Sequence, residues 1–322
     1  MAFELNDFDA WYDIVKGVED KEPILAPWLL RGDVLMLWAS RGVGKTRTSL
    51  KLAHSLATGQ PFMRWKPSRP YAVAYFDGEM GKDPLTRILA ATDSAAEVGL
   101  QKDQLIACPY DKFPNSIMPD ISQPIGQAMY DKASEGAEII IIDNLLTCAR
   151  MAGRNDSEVE SWNRIQDWAL RKREQGITVM FVHHAGKSGD QLGTSTKEVM
   201  LDTVVALKYS GLNRDPSVTQ FEWHFTKKRN FTGEDAEPMQ VEYRKDERGK
   251  DIWTHSPLME AKSIRYLDLK EKFDKTTACD IMGITKGEAG RLEEKYATEV
   301  NTGSGSEEVY QGVLEDLDDP LF

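Results

Sequence analysis

A short glycine-containing segment has the residues that a phosphate-binding loop needs. It comprises Ala39-Ser40-Arg41-Gly42-Val43-Gly44-Lys45-Thr46, with alanine where such loops usually begin with glycine. A loop of this kind wraps backbone N–H groups around phosphate oxygens, while its lysine neutralises phosphate charge and its hydroxyl reaches Mg²⁺. We therefore predict these nucleotide-binding residues: Ser40, Arg41, Gly42, Val43, Gly44, Lys45, Thr46 and Arg47.

Acidic residues that follow apolar runs could complete the chemistry of phosphate transfer. Four isoleucines at 139–142 precede Asp143, which suits a carboxylate that holds Mg²⁺ through water, so Thr46 and Asp143 are the predicted metal-binding residues. Glu79 follows another apolar run and suits a carboxylate that orients or deprotonates the attacking water. Asp77 competes with Glu79 for that role.

Strands and helices must alternate to bring these residues to one edge of a sheet. Residues 34–39 are continuously apolar, as in a buried parallel strand, and leucines at helical spacing follow over 45–57. Further apolar runs and helix-patterned segments alternate at 72–76, 84–97, 122–135, 139–142, 157–174 and 177–182. The pattern predicts an α/β fold with a mainly parallel central sheet and helices on both faces.

The pattern changes after about residue 199. Strand-like segments at 203–209, 219–225 and 239–243 follow one another without helices, and we expect them to extend the sheet as antiparallel strands. A linker is expected at 254–261. The predicted domains are therefore a motor domain over 1–255, a small helical domain over 262–297 and a flexible acidic tail over 298–322.

Composition bounds the class of protein. The net charge is −12 over 322 residues, but six of the negative charges lie in 307–322, so nucleic-acid binding stays open for the rest of the chain. Cys108, Cys148 and Cys279 are widely spaced and predict free thiols in a reducing cytoplasm. No stretch approaches the roughly 20 apolar residues of a membrane span, and the N-terminus lacks a secretory pattern.

The order of the motifs resembles that of RecA-fold ATPases. After the phosphate-binding loop come Phe-Asp-Gly-Glu-Met, Ile-Ile-Ile-Asp-Asn, His183-His184-Ala185-Gly186-Lys187 and Lys227-Lys228-Arg229-Asn230. Over about residues 25–250 the chain looks most like the RepA-type hexameric replicative helicases, which are relatives of DnaB. The resemblance implies a RecA-like P-loop NTPase that uses ATP and Mg²⁺.

The resemblance also implies roles for individual residues. Lys45 and Glu79 would be catalytic, and His184 would sense the γ-phosphate. Lys227 and Arg229 match a K-x-R pattern through which a neighbouring subunit contacts that phosphate, which implies a homo-oligomer, expected to be a hexamer. A solvent-exposed basic strand end is the alternative for the K-x-R pattern.

Single-stranded DNA is the expected partner of two loops. In the family, the loops at 146–156 and 185–196 face the central pore, and they would track the phosphate backbone without reading sequence. The predicted DNA-binding residues there are Arg150, Arg154 and Lys187.

Residues 276–296 resemble a helix-turn-helix. Ala278, Ile281 and Met282 would lie inside the first helix, Gly283 would open the turn, and Lys286 and Arg291 would face outward as DNA-binding residues. Residues 262–296 contain eight Lys/Arg and seven Asp/Glu, so contact with a protein is as well supported as contact with DNA.

Residues 314–322 combine acidic residues with a terminal aromatic residue. Such a tail could recruit a replication protein, and a solubilising end is the alternative. The leading hypothesis for the whole chain is an ATP-driven ring-forming DNA helicase or translocase, cytoplasmic in a bacterial or phage-infected cell. The alternatives are a RecA-like ATPase that remodels or loads protein–DNA complexes, and an initiator or regulator switched by ATP.

Overall fold

The apolar runs of the sequence form the strands of one large sheet, because such runs are stable only where both faces are covered. The computed structural model describes residues 21–149, 158–185, 199–212, 215 and 217–302. A hairpin of β1 (Pro23–Leu25) and β2 (Leu29–Leu30) precedes the sheet. The parallel strands that follow are β3 (Val34–Ala39), β4 (Val73–Asp77), β5 (Leu105–Pro109), β6 (Ile139–Asp143), β7 (Thr178–His184) and β8 (Thr203–Tyr209).

Three antiparallel strands extend this sheet on one side. They are β9 (Thr219–Lys228), β10 (Met239–Lys245) and β11 (Asp251–Pro257). The order across the sheet is β11-β10-β9-β8-β3-β7-β6-β4-β5. Strand β7 therefore lies between the strand before the phosphate-binding loop and the strand that ends in Asp143. The predicted α/β fold with a mainly parallel central sheet is confirmed.

Helices cover both faces of the sheet. Those of the motor region are α1 (Lys45–Thr58), α2 (Lys82–Ala95), α3 (Pro124–Ala133), α4 (Leu145–Cys148) and α5 (Glu158–Glu174). Successive strand residues point to opposite faces, so Leu35 and Leu37 join a core that includes α1, whereas Val34 and Met36 join a core that includes α5.

Two sequence predictions about strands were wrong or incomplete. Strand β8 pairs with β3 in the parallel sense, with Leu35 opposite Thr203, although we expected an antiparallel strand. The reason is that the chain is back at the amino edge of the sheet before β8 begins, where Asp202 N donates to Val34 O at 2.8 Å. Strand β5 was not predicted, because its short run is only partly buried at the sheet edge.

The predicted linker at 254–261 is also wrong. Strand β11 continues to Pro257, and helix α6 (Leu258–Lys272) begins at the next residue. Leu258 N donates to Pro238 O at 3.0 Å, and the Lys262 ammonium lies 3.0 Å from the Glu222 carboxylate of β9. Hydrogen bonding and pairing therefore hold this segment against the sheet.

Helices α6, α7 (Lys275–Met282) and α8 (Lys286–Thr302) share a core of their own. Gly283 ends α7 with a φ of 64°, as the sequence predicts for the turn. Ile281, which we expected inside α7, is 37% exposed, whereas Cys279 is 3% exposed. Cys279 and Met282 are three residues apart and so share a face of α7, and Met282 packs against the core that contains Cys279.

Some predicted properties concern the surface and the redox state. All three cysteines are buried free thiols. Among the described residues, no helix combines the length and apolar character needed to cross a membrane.

Helix α8 runs to Thr302, past the residue at which we expected the tail to begin. Residues 303–322, including the predicted recruiting segment at 314–322, lie outside the described residues.

Candidate nucleotide-binding site

The carboxyl ends of four parallel strands bring the predicted site residues to one edge of the sheet. Ala39 of β3 is in register with His184 of β7, and Asp77 of β4 is in register with Asp143 of β6. Ligands of open α/β sheets bind at this edge. The register alone therefore gathers residues that lie far apart in the sequence.

The phosphate-binding loop connects β3 to α1 through two glycines with positive φ. Gly42 has a φ of 83°, and Gly44, at the N-terminal cap of α1, has a φ of 109°. Residues with a Cβ rarely adopt this conformation. Glycine is therefore required here by the backbone conformation and not because a side chain would clash with a neighbour. A Cβ on Gly42 would meet no atom within 4 Å. The Val43 side chain packs in the core, so only its backbone faces the loop.

Lys45 is folded back into its own loop. Its Nζ donates to Ala39 O at 3.0 Å and to Ser40 O at 2.9 Å, and the residue is 7% exposed. Burial lowers the pKa of the Lys45 ammonium, while the carboxylates of Asp143 and Glu79 oppose that change. A cation is therefore held where the loop would receive phosphate.

Asp143 is a buried carboxylate beside the first turn of α1. Its Oδ2 accepts a hydrogen bond of 2.6 Å from the Tyr75 hydroxyl, and its carboxylate also bonds the Thr46 side chain. Burial raises the pKa of Asp143 to about 6, against the opposing effect of these hydrogen bonds. A carboxylate and a hydroxyl are the hard oxygen donors that Mg²⁺ prefers, so the pair fits that ion.

Asp77 has a structural role. Its carboxylate accepts backbone N–H groups from three consecutive residues: Glu79 at 3.3 Å, Met80 at 3.1 Å and Gly81 at 2.8 Å. Burial raises the pKa of Asp77 while these bonds oppose the change. The side chain shapes the loop between β4 and α2, and it leaves Glu79 as the exposed carboxylate of that loop.

Glu79 and His184 are joined through Asn144. Asn144 Nδ2 donates to Glu79 Oε2 at 2.6 Å and lies 3.1 Å from His184 Nε2. The amide oxygen of Asn144 accepts from Thr147 N at 3.1 Å and so caps α4. Because each atom of its amide is used, Asn144 has one orientation, and it fixes a carboxylate that is 59% exposed.

His184 lies beside both Asn144 and Glu79, with its Nε2 3.1 Å from Asn144 Nδ2 and 3.6 Å from Glu79 Oε2. Burial lowers its pKa, and the nearby Lys45 ammonium lowers the pKa further. The Nδ1 atom of His184 is buried and has no hydrogen-bond partner among the described residues. Adjacent strand residues point to opposite faces, and His183 is accordingly buried on the other face.

Lys227 and Arg229 lie at the opposite edge of the sheet. Lys228 is in register with Thr203, the first residue of β8, whereas Leu207 is in register with Ala39. These two positions of β8 are four residues apart, which is about 13 Å at ~3.3 Å per residue. Lys227 and Arg229 both donate to Val199 O, and Arg229 also pairs with Asp202 at 3.6 Å.

The other basic residues that the sequence singled out lie in different parts of the chain. Arg47 donates to the Tyr243 hydroxyl at 2.7 Å, and its guanidinium lies 4.8 Å from the centre of that ring. Arg41 is exposed, and its charge contributes to the lowered pKa of Lys45 and His184. Lys286 and Arg291 are exposed on α8. The predicted DNA-binding residues Arg150, Arg154 and Lys187 lie outside the described residues.

Sequence reasoning missed two residues of the site. Asn144 follows the isoleucine strand directly, and a polar residue at that position was the available clue. Tyr75 gave none, since it stands within an apolar run and suits a core position. Among the described residues, there is no group of three or more His, Cys, Asp or Glu side chains that could hold a metal ion.

The solved structures to which the chain is similar are distant in sequence. A KaiC-like protein from Pyrococcus horikoshii is 12% identical, with 75% of this chain and 97% of that chain covered and a TM-score of 0.49. The flagellar accessory protein FlaH of Methanocaldococcus jannaschii is 11% identical, with 67% and 86% covered and a TM-score of 0.47. The RadB recombinase is 16% identical, with 68% and 90% covered and a TM-score of 0.45.

No curated protein matches the chain in sequence. A family model described as an AAA domain matches residues 3–190, which is more than half of the chain. The match contains the phosphate-binding loop, Asp143 and His184, the residues that the sheet brings to one edge. The chain belongs to the AAA domain family.

Proposed function

We propose that this protein is an ATP hydrolase whose active form is a ring of identical subunits, and that it acts as a DNA helicase or translocase. The observation that carries the proposal is the position of Arg229. It lies at the amino edge of the parallel strands, whereas the phosphate-binding loop lies at the carboxyl edge. This separation from its own loop supports action of Arg229 on the site of a neighbouring subunit, and hydrolysis would then require an oligomer.

Binding of ATP follows from the loop. The ammonium of Lys45 exchanges two neutral carbonyl acceptors for phosphate oxygens, which form stronger, charge-assisted hydrogen bonds. Thr46 and Asp143 would hold Mg²⁺, which neutralises charge on the phosphates when bound. Backbone N–H groups at the start of α1 add the positive end of the helix dipole.

Hydrolysis depends on the carboxylate that Asn144 positions. Glu79 is exposed at the carboxyl edge and can orient a water molecule and accept its proton. His184, which contacts Asn144, connects the region of the phosphate-binding loop to Glu79. A change at the phosphate can thereby shift the carboxylate that acts on water.

The arginine from a neighbouring subunit adds the charge that the transition state requires. An arginine supplied in trans stabilises negative charge on the transferred phosphoryl group and raises turnover by about 10³- to 10⁵-fold. Such an arrangement couples hydrolysis to the subunit interface. The order of motifs along the chain supports a hexameric helicase that moves along single-stranded DNA.

The test measures oligomeric mass with and without ATP, ATPase activity with and without single-stranded DNA, and unwinding of a forked duplex. The proposal expects a ring, stimulation by single strands and ATP-dependent unwinding. Stimulation without unwinding would instead support a remodelling or loading ATPase. A monomer with full ATPase activity would refute the shared site.

A further inference from the structure

Asp202 is a buried aspartate at the amino edge of the sheet, beside the first residue of β3. Only 5% of the residue is exposed. Its backbone N–H donates to Val34 O at 2.8 Å, and Val34 N donates in turn to its Oδ2 at 2.9 Å. Both the backbone and the side chain of Asp202 are therefore bound to β3, which fixes the position of the carboxylate.

Arg173 is the charge partner that allows this carboxylate to be buried. Its Nη2 donates to Asp202 Oδ2. The same guanidinium donates to Gly32 O at 3.1 Å and to Met200 O at 3.3 Å, so it is held in place by the chain around it. A buried carboxylate needs a paired charge. Arg173 supplies that charge at Oδ2, and the other oxygen, Oδ1, is turned to a second cation.

The second cation is Arg229. Its Nη1 lies 3.6 Å from Asp202 Oδ1, an ion-pair contact, and its Nη2 donates to Val199 O. Two nitrogens of one planar group are thus directed at two acceptors, which determines the plane of the guanidinium as well as its position. The Arg229 side chain is 44% exposed, so its other N–H groups can meet a molecule outside the subunit.

An arginine that acts on a transition state is most effective when its donors are already in place. Preorganised donors need no rearrangement at the moment of reaction. An exposed arginine is otherwise free to change rotamer, and the buried carboxylate of Asp202 limits that freedom for Arg229.

We propose that Asp202 is a positioning residue for the arginine that acts in trans: it holds Arg229 so that the outward N–H groups meet the γ-phosphate bound by a neighbouring subunit. The inference rests on the proposed action of Arg229 in trans. It adds that the orientation of this arginine is set by one buried carboxylate of its own subunit.

Steady-state ATPase kinetics of the full-length Asp202→Asn variant test the proposal. Asparagine keeps an amide oxygen for Val34 N and Arg173, but it removes the negative charge that faces Arg229. We expect kcat to fall by about 10- to 100-fold, as for misplacement of a reacting group by about 1 Å. The KM for ATP should change little, because the phosphate-binding loop of each subunit is untouched.

The matched control is Asp33→Asn. Asp33 is also buried at the amino edge, where it accepts from Leu30 N at 3.0 Å and from Lys21 Nζ at 2.7 Å. Its loss removes a buried carboxylate next to β3 without touching Arg229, so kcat should equal that of the wild-type chain. An equal fall of kcat in the two variants would overturn the proposal, because any buried charge at this edge would then suffice.

Mixed oligomers show through which half of the shared site Asp202 acts. With Lys45→Ala, Asp202→Asn should exceed the mean activity of the two variants, because about a quarter of the head-to-tail interfaces combine an intact loop with a correctly held arginine. With Arg229→Ala it should gain nothing, because both defects lie in the arginine half. Recovery with Arg229→Ala and none with Lys45→Ala would mean that Asp202 acts through β3 on its own loop, and would overturn the proposal.

Wild-type kcat in Asp202→Asn would also overturn it. The mixture of Lys45→Ala with Arg229→Ala separates that result from failure of the proposed function. Recovery in this mixture leaves Arg229 acting in trans and removes only the role of Asp202, whereas no recovery removes the action in trans itself.

Arg229→Lys provides the test if thermal unfolding shows that Asp202→Asn is not folded, since it leaves the buried carboxylate in place. Lysine keeps the charge but has one nitrogen for the two acceptors, so kcat should fall by about tenfold or more. A wild-type kcat in Arg229→Lys would show that the orientation set by Asp202 and Val199 O is not needed, and would overturn the proposal.

Discussion

Asn144 donates a hydrogen bond of 2.6 Å to the carboxylate of Glu79, across the gap between the ends of β6 and β4. The same amide nitrogen lies 3.1 Å from His184 Nε2 of β7. Three neighbouring strands are thus joined by one side chain at the edge where the nucleotide would bind. Glu79 is exposed, so this contact supplies its orientation where packing does not.

Replacement of Asn144 by serine should lower turnover and leave ATP binding intact. Serine can still cap α4, but it loses the amide N–H groups that reach Glu79 and His184. Misplacement of a reacting group by about 1 Å can cost up to ~100-fold in rate. Steady-state kinetics should therefore show a lower kcat with little change in the affinity for a non-hydrolysable ATP analogue.

The matched variant for this experiment is Asn144→Ala, which removes both the amide and the cap. It should lose turnover as Asn144→Ser does, and also lose about 1 kcal/mol of stability with the cap. Wild-type kcat in Asn144→Ser would show that the contact with Glu79 does not position the carboxylate.

Glu79 and Asp77 should respond differently to loss of charge. Glu79→Gln should reduce kcat by about 10²- to 10⁴-fold, as expected for a group that accepts a proton from water. Asp77→Asn keeps one acceptor for the loop N–H groups, so measurable turnover should remain while stability falls by about 1–3 kcal/mol. Comparison of kcat and thermal unfolding for the two variants decides which carboxylate acts on water.

The sequence predicted the structure best in segments where one physical requirement fixes both the type of residue and its position. The loop from Ser40 to Thr46 needs glycine and lysine at set positions, and a buried strand such as Ile139–Asp143 needs an unbroken apolar run. Both were placed correctly for that reason. The role of Asp77 was not predictable, since it depends on three backbone N–H groups that turn back toward one carboxylate.

Strand direction and contacts between distant segments lay beyond the sequence pattern. In the sequence, β8 is followed by further strands without intervening helices, as in an antiparallel meander. Its parallel pairing with β3 is instead set by where the preceding chain returns to the sheet. Tyr75 looks like a core residue until β4 and β6 are placed side by side, which brings its hydroxyl to Asp143. Local patterns do not encode such contacts, because both partners are needed to define them.

The proposed sharing of the site between subunits makes a prediction for mixed oligomers. Lys45→Ala and Arg229→Ala should each abolish turnover, because one removes the cation of the loop and the other the cation from the neighbour. In an equal mixture, about a quarter of the head-to-tail interfaces regain one intact loop and one intact arginine. ATPase activity of the mixture should therefore recover in part.

The control mixture combines Lys45→Ala with Glu79→Gln. Both defects lie in the loop half of the site, so no interface in this mixture contains a complete set and no activity should return. Recovery in the control, or none in the Arg229→Ala mixture, would contradict action of Arg229 in trans. Analytical ultracentrifugation with ATP verifies that the variants assemble together.

Acid should weaken the C-terminal helices through Glu293. Its carboxylate accepts from Lys270 at 2.6 Å, Lys275 at 3.1 Å and Tyr266 at 3.2 Å, and so links α6, α7 and α8. Hydrogen bonds from Lys270 and Lys275 lower the pKa of Glu293 from 4.5 to about 2. A lowered pKa in the folded state stabilises the fold above the unfolded-state pKa, and the gain disappears as pH falls through the folded-state pKa.

The melting temperature of Glu293→Gln should therefore lie below that of the wild-type chain at neutral pH, and the difference should shrink as pH falls from about 4.5 towards 2. Hydrogen exchange of residues 258–302 should show the same trend, because the three linked helices lose their common acceptor. Glu271→Gln is the matched control, since it removes an exposed carboxylate from α6. A pH-independent difference, or an equal effect in Glu271→Gln, would mean that the loss reflects packing or overall charge and not the ion pairs of Glu293.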